Sequence, residues 1–207
     1  MQAGSLCIVG TGVGMAGQLS AEARAAIVGA DSVLTLTGDP LFDAWLDTLN
    51  EARQGLEHHY AEAPDRPSAY ARMSDHILAE VRMGKRVCAA FYGHPGVFVT
   101  PSHDAIQRAR AEGFAATMLP GISAEDCLFA DLGVDPGACG CQSYEARDFF
   151  VHARQIDTSA ALILWQIAVV GDGEFANVAS RPGALRALSL VLRDHYPDKH
   201  RVAIYVA

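Results

Sequence analysis

Short apolar runs that are typical of buried β-strands alternate along this chain with longer segments of helical periodicity. The first run, at residues 5–9, ends in a glycine-rich turn. A helical segment at residues 21–28 follows, with Ser20 as its predicted N-cap and Gly29 as its terminator. Because strands that alternate with helices pair in parallel, this order predicts an α/β fold with largely parallel sheets.

The alternation also predicts two lobes. Predicted strands lie at residues 5–9, 32–37, 87–91, 115–118, 161–167 and 201–206, and predicted helices at residues 21–28, 41–49, 67–83, 102–112, 123–132 and 182–195. The two lobes are predicted to meet near residues 112–118. The N-terminal α/β lobe covers residues 1–114, and the C-terminal α/β lobe covers residues 115–207. The chain stops at the end of its last predicted strand, so we expect the C-terminal lobe to be truncated.

The charge and hydropathy of the chain exclude several classes of protein. Its net charge is −8 and it has no basic stripe, so we expect no nucleic-acid partner. The longest apolar stretch, residues 160–170, is interrupted by Gln166 and is too short to span a bilayer, and the N-terminus lacks a secretory signal. We therefore expect a cytoplasmic protein with no membrane partner.

Metal-binding patterns are weak in the sequence. The five cysteines predict free thiols in a reducing cytoplasm, because Cys139 and Cys141 alone are a poor metal signal. His58 and His59 have no spaced partner, so we expect exposed polar side chains there and no metal site.

A glycine-rich turn follows the first predicted strand. Gly12, Gly14 and Gly17 match the G-x-G-x-x-G pattern that lets a backbone approach a pyrophosphate. The helix begins too late for that fingerprint, at Ser20, and the acidic residue expected near the end of the second strand is missing, since Asp31 lies before that strand. The pattern favours a turn that lines some other cofactor, or a plain tight turn, over a dinucleotide site.

Two further loops follow predicted strands, at the edge where parallel α/β sheets bind ligands. The segment 91–98, FYGHPGVF, places Tyr92 and His94 among glycines, which suits a ligand loop and a rigid turn equally. The segment 119–126, LPGISAED, opens a helix that Ser123 is placed to cap, and the small residues Gly121 and Ala124 leave room for a ligand. Both loops are candidate ligand sites with a structural alternative.

A polar loop bounded by prolines runs from Tyr60 into a predicted helix. Arg66 and Tyr70 are four residues apart and share a face if the helix begins near Arg66. An arginine beside tyrosines makes a phenol more acidic and holds an oxyanion. The alternative is a solvated loop in which Arg66 pairs with Asp65 or Glu62.

Together these motifs resemble the tetrapyrrole methylase superfamily, whose enzymes use S-adenosylmethionine (SAM). The resemblance rests on GTGVG at residues 10–14, YGHPGVF at 92–98, PGISAED at 120–126 and LWQI at 164–167. Within the superfamily, the longer runs FYGHPGVFVTPSH and LPGISAEDCLFADLGVDP, with Tyr60, Arg66 and Tyr70, are similar to the borosin peptide-backbone α-N-methyltransferases. Since no precursor peptide is appended, the chain is most similar to the split type, in which enzyme and peptide are separate proteins.

The resemblance implies a two-lobed fold with SAM in the inter-lobe cleft, a C-terminal lobe that is incomplete relative to the family, and a homodimer. Carried over by motif, it implies catalytic roles for Tyr60, Arg66 and Tyr70. It also implies SAM contacts by Tyr92, His94, Val97, Ser123, Ala124, Gln166 and Ala207. The implied partner is a precursor peptide on a separate chain.

The implied reaction moves the methyl group of SAM to backbone amide nitrogens of that peptide and leaves S-adenosylhomocysteine. An amide nitrogen is a poor nucleophile, because its lone pair is delocalised into the carbonyl. We expect Arg66 and Tyr70 to donate to the carbonyl oxygen and Tyr60, made more acidic by Arg66, to accept the amide proton, although the tyrosines could exchange roles. The alternatives are a corrin-ring C-methyltransferase of the same superfamily and a non-catalytic peptide- or SAM-binding protein.

Overall fold

The computed structural model describes residues 4–170 and 182–206, which divide into two compact units. The first unit runs to Cys127 and the second begins at Leu128. The sequence predicted the boundary between the two lobes between residues 114 and 115. In the structure the strand that follows this point pairs with the first strand of the chain, so the first unit continues beyond it.

The first unit is built on a five-stranded parallel sheet. Its strands are β1 (Ser5–Gly10), β2 (Ser32–Leu36), β3 (Arg53–Gly55), β4 (Arg86–Phe91) and β5 (Ala115–Leu119), in the order β3-β2-β4-β1-β5. Its helices are α1 (Ala21–Gly29), α2 (Pro40–Asp47), α3 (His58–Glu62), α4 (Arg66–Arg82), α5 (Thr100–Ala111) and α6 (Ala124–Leu132), within which the boundary between the units falls. Every strand pair is parallel, which confirms the predicted α/β class.

Apolar residues fill both faces of this sheet. Leu6 and Ile8 of β1 belong to a core cluster formed with residues of α4 and α5, whereas Val9 belongs to a second cluster with residues of α1 and α2. Burial on both faces explains why the strands read as continuous apolar runs. The predicted N-cap of α1 is confirmed, since the hydroxyl of Ser20 accepts a hydrogen bond of 3.1 Å from the N–H of Ala23.

The second unit is smaller. It contains α7 (Pro136–Cys139), β6 (Cys141–Glu145), α8 (Ala146–Val151), β7 (Ala161–Trp165), a 3-10 turn (Ile167–Val169) and α9 (Pro182–Arg193). Strands β6 and β7 pair in parallel, and Phe149 and Leu188 are buried in a core cluster of this unit.

The strand predicted at residues 201–206 does not form. These residues have no regular secondary structure, and Val202 and Ile204 are each 79% exposed. A β-prone sequence becomes a strand only where a neighbouring strand takes up its backbone hydrogen bonds and its side chains pack. The prediction was wrong because it rested on residue type alone.

Among the described residues, five short α-helices and β-strands were not predicted from the sequence: β3, α3, α7, β6 and α8. They are between 3 and 6 residues long. Runs of this length contain too few residues to establish a hydrophobic period. One of them, α3, carries part of the candidate functional site.

The structure describes all five cysteines, and none of them forms a disulfide bond. No helix among the described residues combines the length and the apolar character that a membrane crossing requires.

Candidate functional site

Three glycine-containing loops meet at the carboxyl end of the central strands. Gly10 ends β1, Gly93 follows β4 and Gly121 follows β5, and these three strands are neighbours in the sheet. A Cβ atom added to Gly121 would lie 2.7 Å from the Cα of Gly10 and would also meet the carbonyl oxygen of Gly93. The close approach of the three motifs that the sequence singled out therefore depends on residues without side chains.

The side chain of Gln18 fills the glycine-rich turn after β1. Its Oε1 accepts hydrogen bonds of 2.8 Å from the N–H groups of both Val13 and Gly14. A pyrophosphate would need backbone N–H groups of this kind. In this turn the side-chain amide of Gln18 already takes up these N–H groups, which agrees with the sequence argument against a dinucleotide site. Sequence reasoning missed Gln18, although an amide side chain just after a glycine run was a visible signal.

The loop after β4 presents several side chains at its surface. Tyr92 and Val97 are 39% and 42% exposed. The N–H of Gly96 donates a hydrogen bond of 3.0 Å to Nδ1 of His94, so a neutral His94 carries its proton on Nε2. Phe98, which the sequence did not single out, is half exposed and has a φ of 56°. A bulky residue in the left-handed region is strained, and such strain is frequent at ligand sites.

Ser123 caps the helix α6, as the structural alternative predicted. Its hydroxyl and its N–H each donate a hydrogen bond of 2.7 Å to Oδ2 of Asp126, whose own N–H donates to the Ser123 hydroxyl at 3.2 Å. These bonds, with a smaller contribution from His94, hold the pKa of Asp126 below its ordinary value. Helix capping therefore accounts for the hydroxyl of Ser123, and Ala124 is the first residue of the helix.

Two further residues predicted to contact SAM are not part of the three loops described above. Gln166 follows β7 in the second unit, is exposed and has a left-handed φ of 59°. Holding a residue other than glycine in this region costs about 1–3 kcal/mol, and such residues cluster at functional sites. Ala207 lies outside the described residues. The SAM contacts of both residues stay predictions.

Helices α3 and α4 bring the three predicted catalytic residues together. Tyr60 lies in α3, and α4 begins at Arg66, which confirms the start needed for Arg66 and Tyr70 to share a face. Asp65 caps α4, since its Oδ1 accepts a hydrogen bond of 2.7 Å from the N–H of Ser68. The rings of Tyr60 and Tyr70 meet edge to face with their centroids 6.1 Å apart.

The phenol of Tyr60 is a weaker acid than the sequence predicted. Partial burial, followed by the charge of Tyr70 and a hydrogen bond to it, raises the pKa of Tyr60 to about 12. Arg66 acts in the expected direction and lowers this pKa, but its contribution is outweighed. The expectation of a more acidic Tyr60 was therefore wrong, because spacing along the chain does not report burial.

His59 also differs from its prediction as an exposed residue. It is only 9% exposed, and its Nε2 lies 3.1 Å from Nδ1 of His76, which α4 contributes. Burial lowers the pKa of both imidazoles, and neighbouring histidines lower it further. Sequence reasoning found no partner for His59 because the partner lies on another helix, at a distance along the chain that carries no local pattern.

Comparison with known proteins decides the family. Residues 5–207 match the family described as Tetrapyrrole (Corrin/Porphyrin) Methylases. The chain belongs to this family. The fold of the chain is similar to that of a uroporphyrin-III-C-methyltransferase from Thermus thermophilus, with a TM-score of 0.59 over 79% of this chain and 68% of the other. At 19% identity the likeness concerns the fold alone.

Curated relatives resemble this chain more closely in sequence. It is 42% identical over 206 residues to the "methyltransferase/ribosomally synthesized cyclic peptide gymnopeptides precursor" of Gymnopus fusipes. It is 45% identical over 174 residues to the "methyltransferase/ribosomally synthesized type I borosin cyclic peptide precursor" of Coprinopsis marcescibilis. The similarity covers 100% and 84% of this chain but 49% and 44% of those relatives. The chain therefore spans about half the length of the curated relatives that it matches.

Proposed function

We propose that this methylase transfers the methyl group of SAM to backbone amide nitrogens of a separate precursor peptide. The observation that carries the proposal is the pairing of Tyr60 with Tyr70 beside Arg66, in a chain similar to proteins named as methyltransferase/cyclic peptide precursors. Methylation of a ring carbon has no amide to deprotonate and does not call for this set of side chains.

The described residues of the first unit fit SAM. Exposed aromatic and apolar side chains at Tyr92 and Val97 suit an adenosine group, and the Nε2–H of His94 suits a carboxylate. The loops that carry these residues lie at the carboxyl end of parallel strands, where α/β folds bind ligands. When bound, SAM supplies an electrophilic methyl group on its sulfonium sulfur.

The protein's main task is to make the amide nitrogen reactive. Tyr60 keeps its proton at neutral pH, because its pKa is raised to about 12, and we infer that it is the donor in the hydrogen bond that it shares with Tyr70. A phenol that keeps its proton cannot accept the amide proton. We therefore assign proton acceptance to Tyr70, so the two tyrosines exchange the roles that the sequence first suggested.

In this scheme the amide proton passes to the ionised oxygen of Tyr70. The deprotonated nitrogen would then take the methyl group of bound SAM, and the bond between that methyl carbon and sulfur would break to give S-adenosylhomocysteine. Tyr70 then releases the proton to solvent. Arg66 donates to the carbonyl oxygen of the amide and stabilises the charge that develops there.

Mass spectrometry tests the reaction. The purified chain is incubated with SAM and a synthetic peptide that corresponds to the reading frame next to its own gene. We expect a mass gain of one methyl group per turnover, which fragmentation locates on backbone nitrogen. Tyr70→Phe should abolish the gain while SAM affinity, measured by isothermal titration, is unchanged. Methylation of uroporphyrinogen III in place of peptide, or SAM binding without any turnover, would overturn the proposal.

The proposed assembly is a homodimer that receives the precursor peptide as a separate chain. Its support is the resemblance of the motifs, together with relatives whose names join methyltransferase and precursor in one protein. Light scattering on the purified chain measures the assembly directly. A mass of two chains supports the homodimer, and a mass of one chain contradicts it.

A further inference from the structure

A cluster of three histidines lies outside the catalytic scheme. His58 and His59 begin α3, and His76 lies in α4. One ring nitrogen of each histidine lies within 4.8 Å of one from each of the others, and within residues 4–170 and 182–206 no other histidine, cysteine or carboxylate group is arranged in this way. The mechanism above uses none of the three side chains.

Hydrogen bonds orient the exposed member of the cluster. Nδ1 of His58 lies 3.0 Å from the carbonyl oxygen of Gly55. A carbonyl oxygen only accepts, so the proton of a neutral His58 sits on Nδ1 and Nε2 keeps its lone pair. Histidines that bind metals usually donate their second ring N–H to a carbonyl or a carboxylate in this way.

The buried histidine of the cluster, His59, has a ring nitrogen that lacks a hydrogen-bond partner. Nδ1 of His59 is buried and has no hydrogen-bond partner, and Oε2 of Glu62 lies 4.0 Å away. An ion bound at Nε2 would fix the ring proton on Nδ1, on the side of this carboxylate. A buried polar atom without a partner is costly in a native protein and calls for an explanation.

The spacing of the inner pair suits a shared ion. Nε2 of His59 and Nδ1 of His76 are 3.1 Å apart. Two nitrogens bound at about 2.0–2.1 Å in a tetrahedral zinc site are separated by about 3.3 Å. Imidazole ligands favour zinc and its neighbours among the transition metals, whereas magnesium and calcium prefer oxygen.

We propose that His58, His59 and His76 bind one Zn²⁺ ion per chain, with a fourth position open to water. The ion would join α3 to α4. Tyr60 directly follows His59 in α3, and Tyr70 lies in α4. The ion would therefore also fix the positions of the two phenols relative to each other. The site is a structural and positioning one, and it does not depend on the identity of the methyl acceptor.

Metal titration of the full chain tests the proposal. After treatment with a chelator, the chain is titrated with ZnCl₂ in competition with a chromophoric zinc indicator, and CoCl₂ is added separately to record the visible spectrum. We expect one zinc per chain and the intense absorption of tetrahedral cobalt. MgCl₂ should produce no competing signal.

Variants locate the ion. His58→Ala changes an exposed residue and His76→Asn a partly buried one, and each should weaken zinc binding by about tenfold or more and reduce the cobalt absorption. His152→Ala, which removes an exposed histidine paired with Asp148, is the matched control and should bind zinc as the unaltered chain does. Absence of zinc binding, or binding that His58→Ala and His76→Asn leave unchanged, would overturn the proposal. The cluster would then be three imidazole rings in contact with one another.

Discussion

The phenols of Tyr60 and Tyr70 share a hydrogen bond, which joins α3 to the first turns of α4. The two rings meet edge to face, which is a favourable geometry for an aromatic pair. The pKa of Tyr60 is raised to about 12, so this phenol keeps its proton at neutral pH. This property of Tyr60 is the basis of the different roles proposed for the two tyrosines.

The raised pKa of Tyr60 is directly measurable. The ultraviolet absorbance of phenolate is followed during an alkaline titration of the unaltered chain and of Tyr60→Phe. The difference between the two curves should have its midpoint near pH 12, because partial burial and Tyr70 favour the neutral phenol. In a Tyr70→Phe background the same difference should move down toward the ordinary value of about 10, since the acceptor oxygen is gone. A midpoint near 10 in the unaltered background would contradict the pairing.

Arg66→Lys should abolish most of the proposed activity. A lysine keeps the charge but loses the planar fork of donors that stabilises a developing oxyanion. We expect kcat to fall by about 10²-fold or more, with SAM affinity unchanged. Arg82→Lys is the matched control on the same helix, where the guanidinium is bonded to Glu112 at the surface. Equal losses in the two variants would show that Arg66 acts through folding rather than chemistry.

The parts of this site that were predictable from the sequence depend on local relationships. The start of α4 at Arg66 and the cap at Ser20 follow from residues within one turn of each other, and local patterns identify them. The raised pKa of Tyr60 and the contact between His59 and His76 depend on how two helices pack, which no short pattern records.

The strand predicted at residues 201–206 is absent, because strand formation also depends on packing that no short pattern records. Its residue types favour β-structure, but a strand requires a partner as well as a propensity. In contrast, β1 was predicted correctly because it is buried between two layers, and its apolar run reflects that position directly.

Gly121→Ala should disrupt the contact among the loops that follow β1, β4 and β5. The added Cβ would lie 2.7 Å from the Cα of Gly10, a backbone atom that cannot rotate away. We expect a loss of about 1–3 kcal/mol in the free energy of unfolding, measured with urea, together with weaker SAM binding. Gly29→Ala is the matched control, since nothing lies within 4 Å of its added methyl group, and its stability should be unchanged or slightly higher. A stable Gly121→Ala chain would show that the loops can separate without cost.

Ser123→Ala separates helix capping from cofactor contact. Its hydroxyl is already bonded to Asp126, so we expect the free energy of unfolding to fall by about 1 kcal/mol and SAM affinity to remain unchanged. Ser20→Ala is the matched control, because it removes the corresponding cap of α1 and should cost a similar amount. Weaker SAM binding in Ser123→Ala alone would instead identify the hydroxyl as a cofactor contact.

The capping carboxylate also predicts a dependence of stability on pH. The pKa of Asp126 is lower in the folded chain than in the unfolded one, so the unfolded chain takes up this proton first as the solution is acidified. The stabilisation is therefore complete above about pH 4 and is lost as the pH falls below that value. Urea midpoints recorded on both sides of this range should fall less steeply with acid in Asp126→Asn than in the unaltered chain. Parallel curves would mean that the hydrogen bonds of Ser123 to this carboxylate do not favour its ionised form.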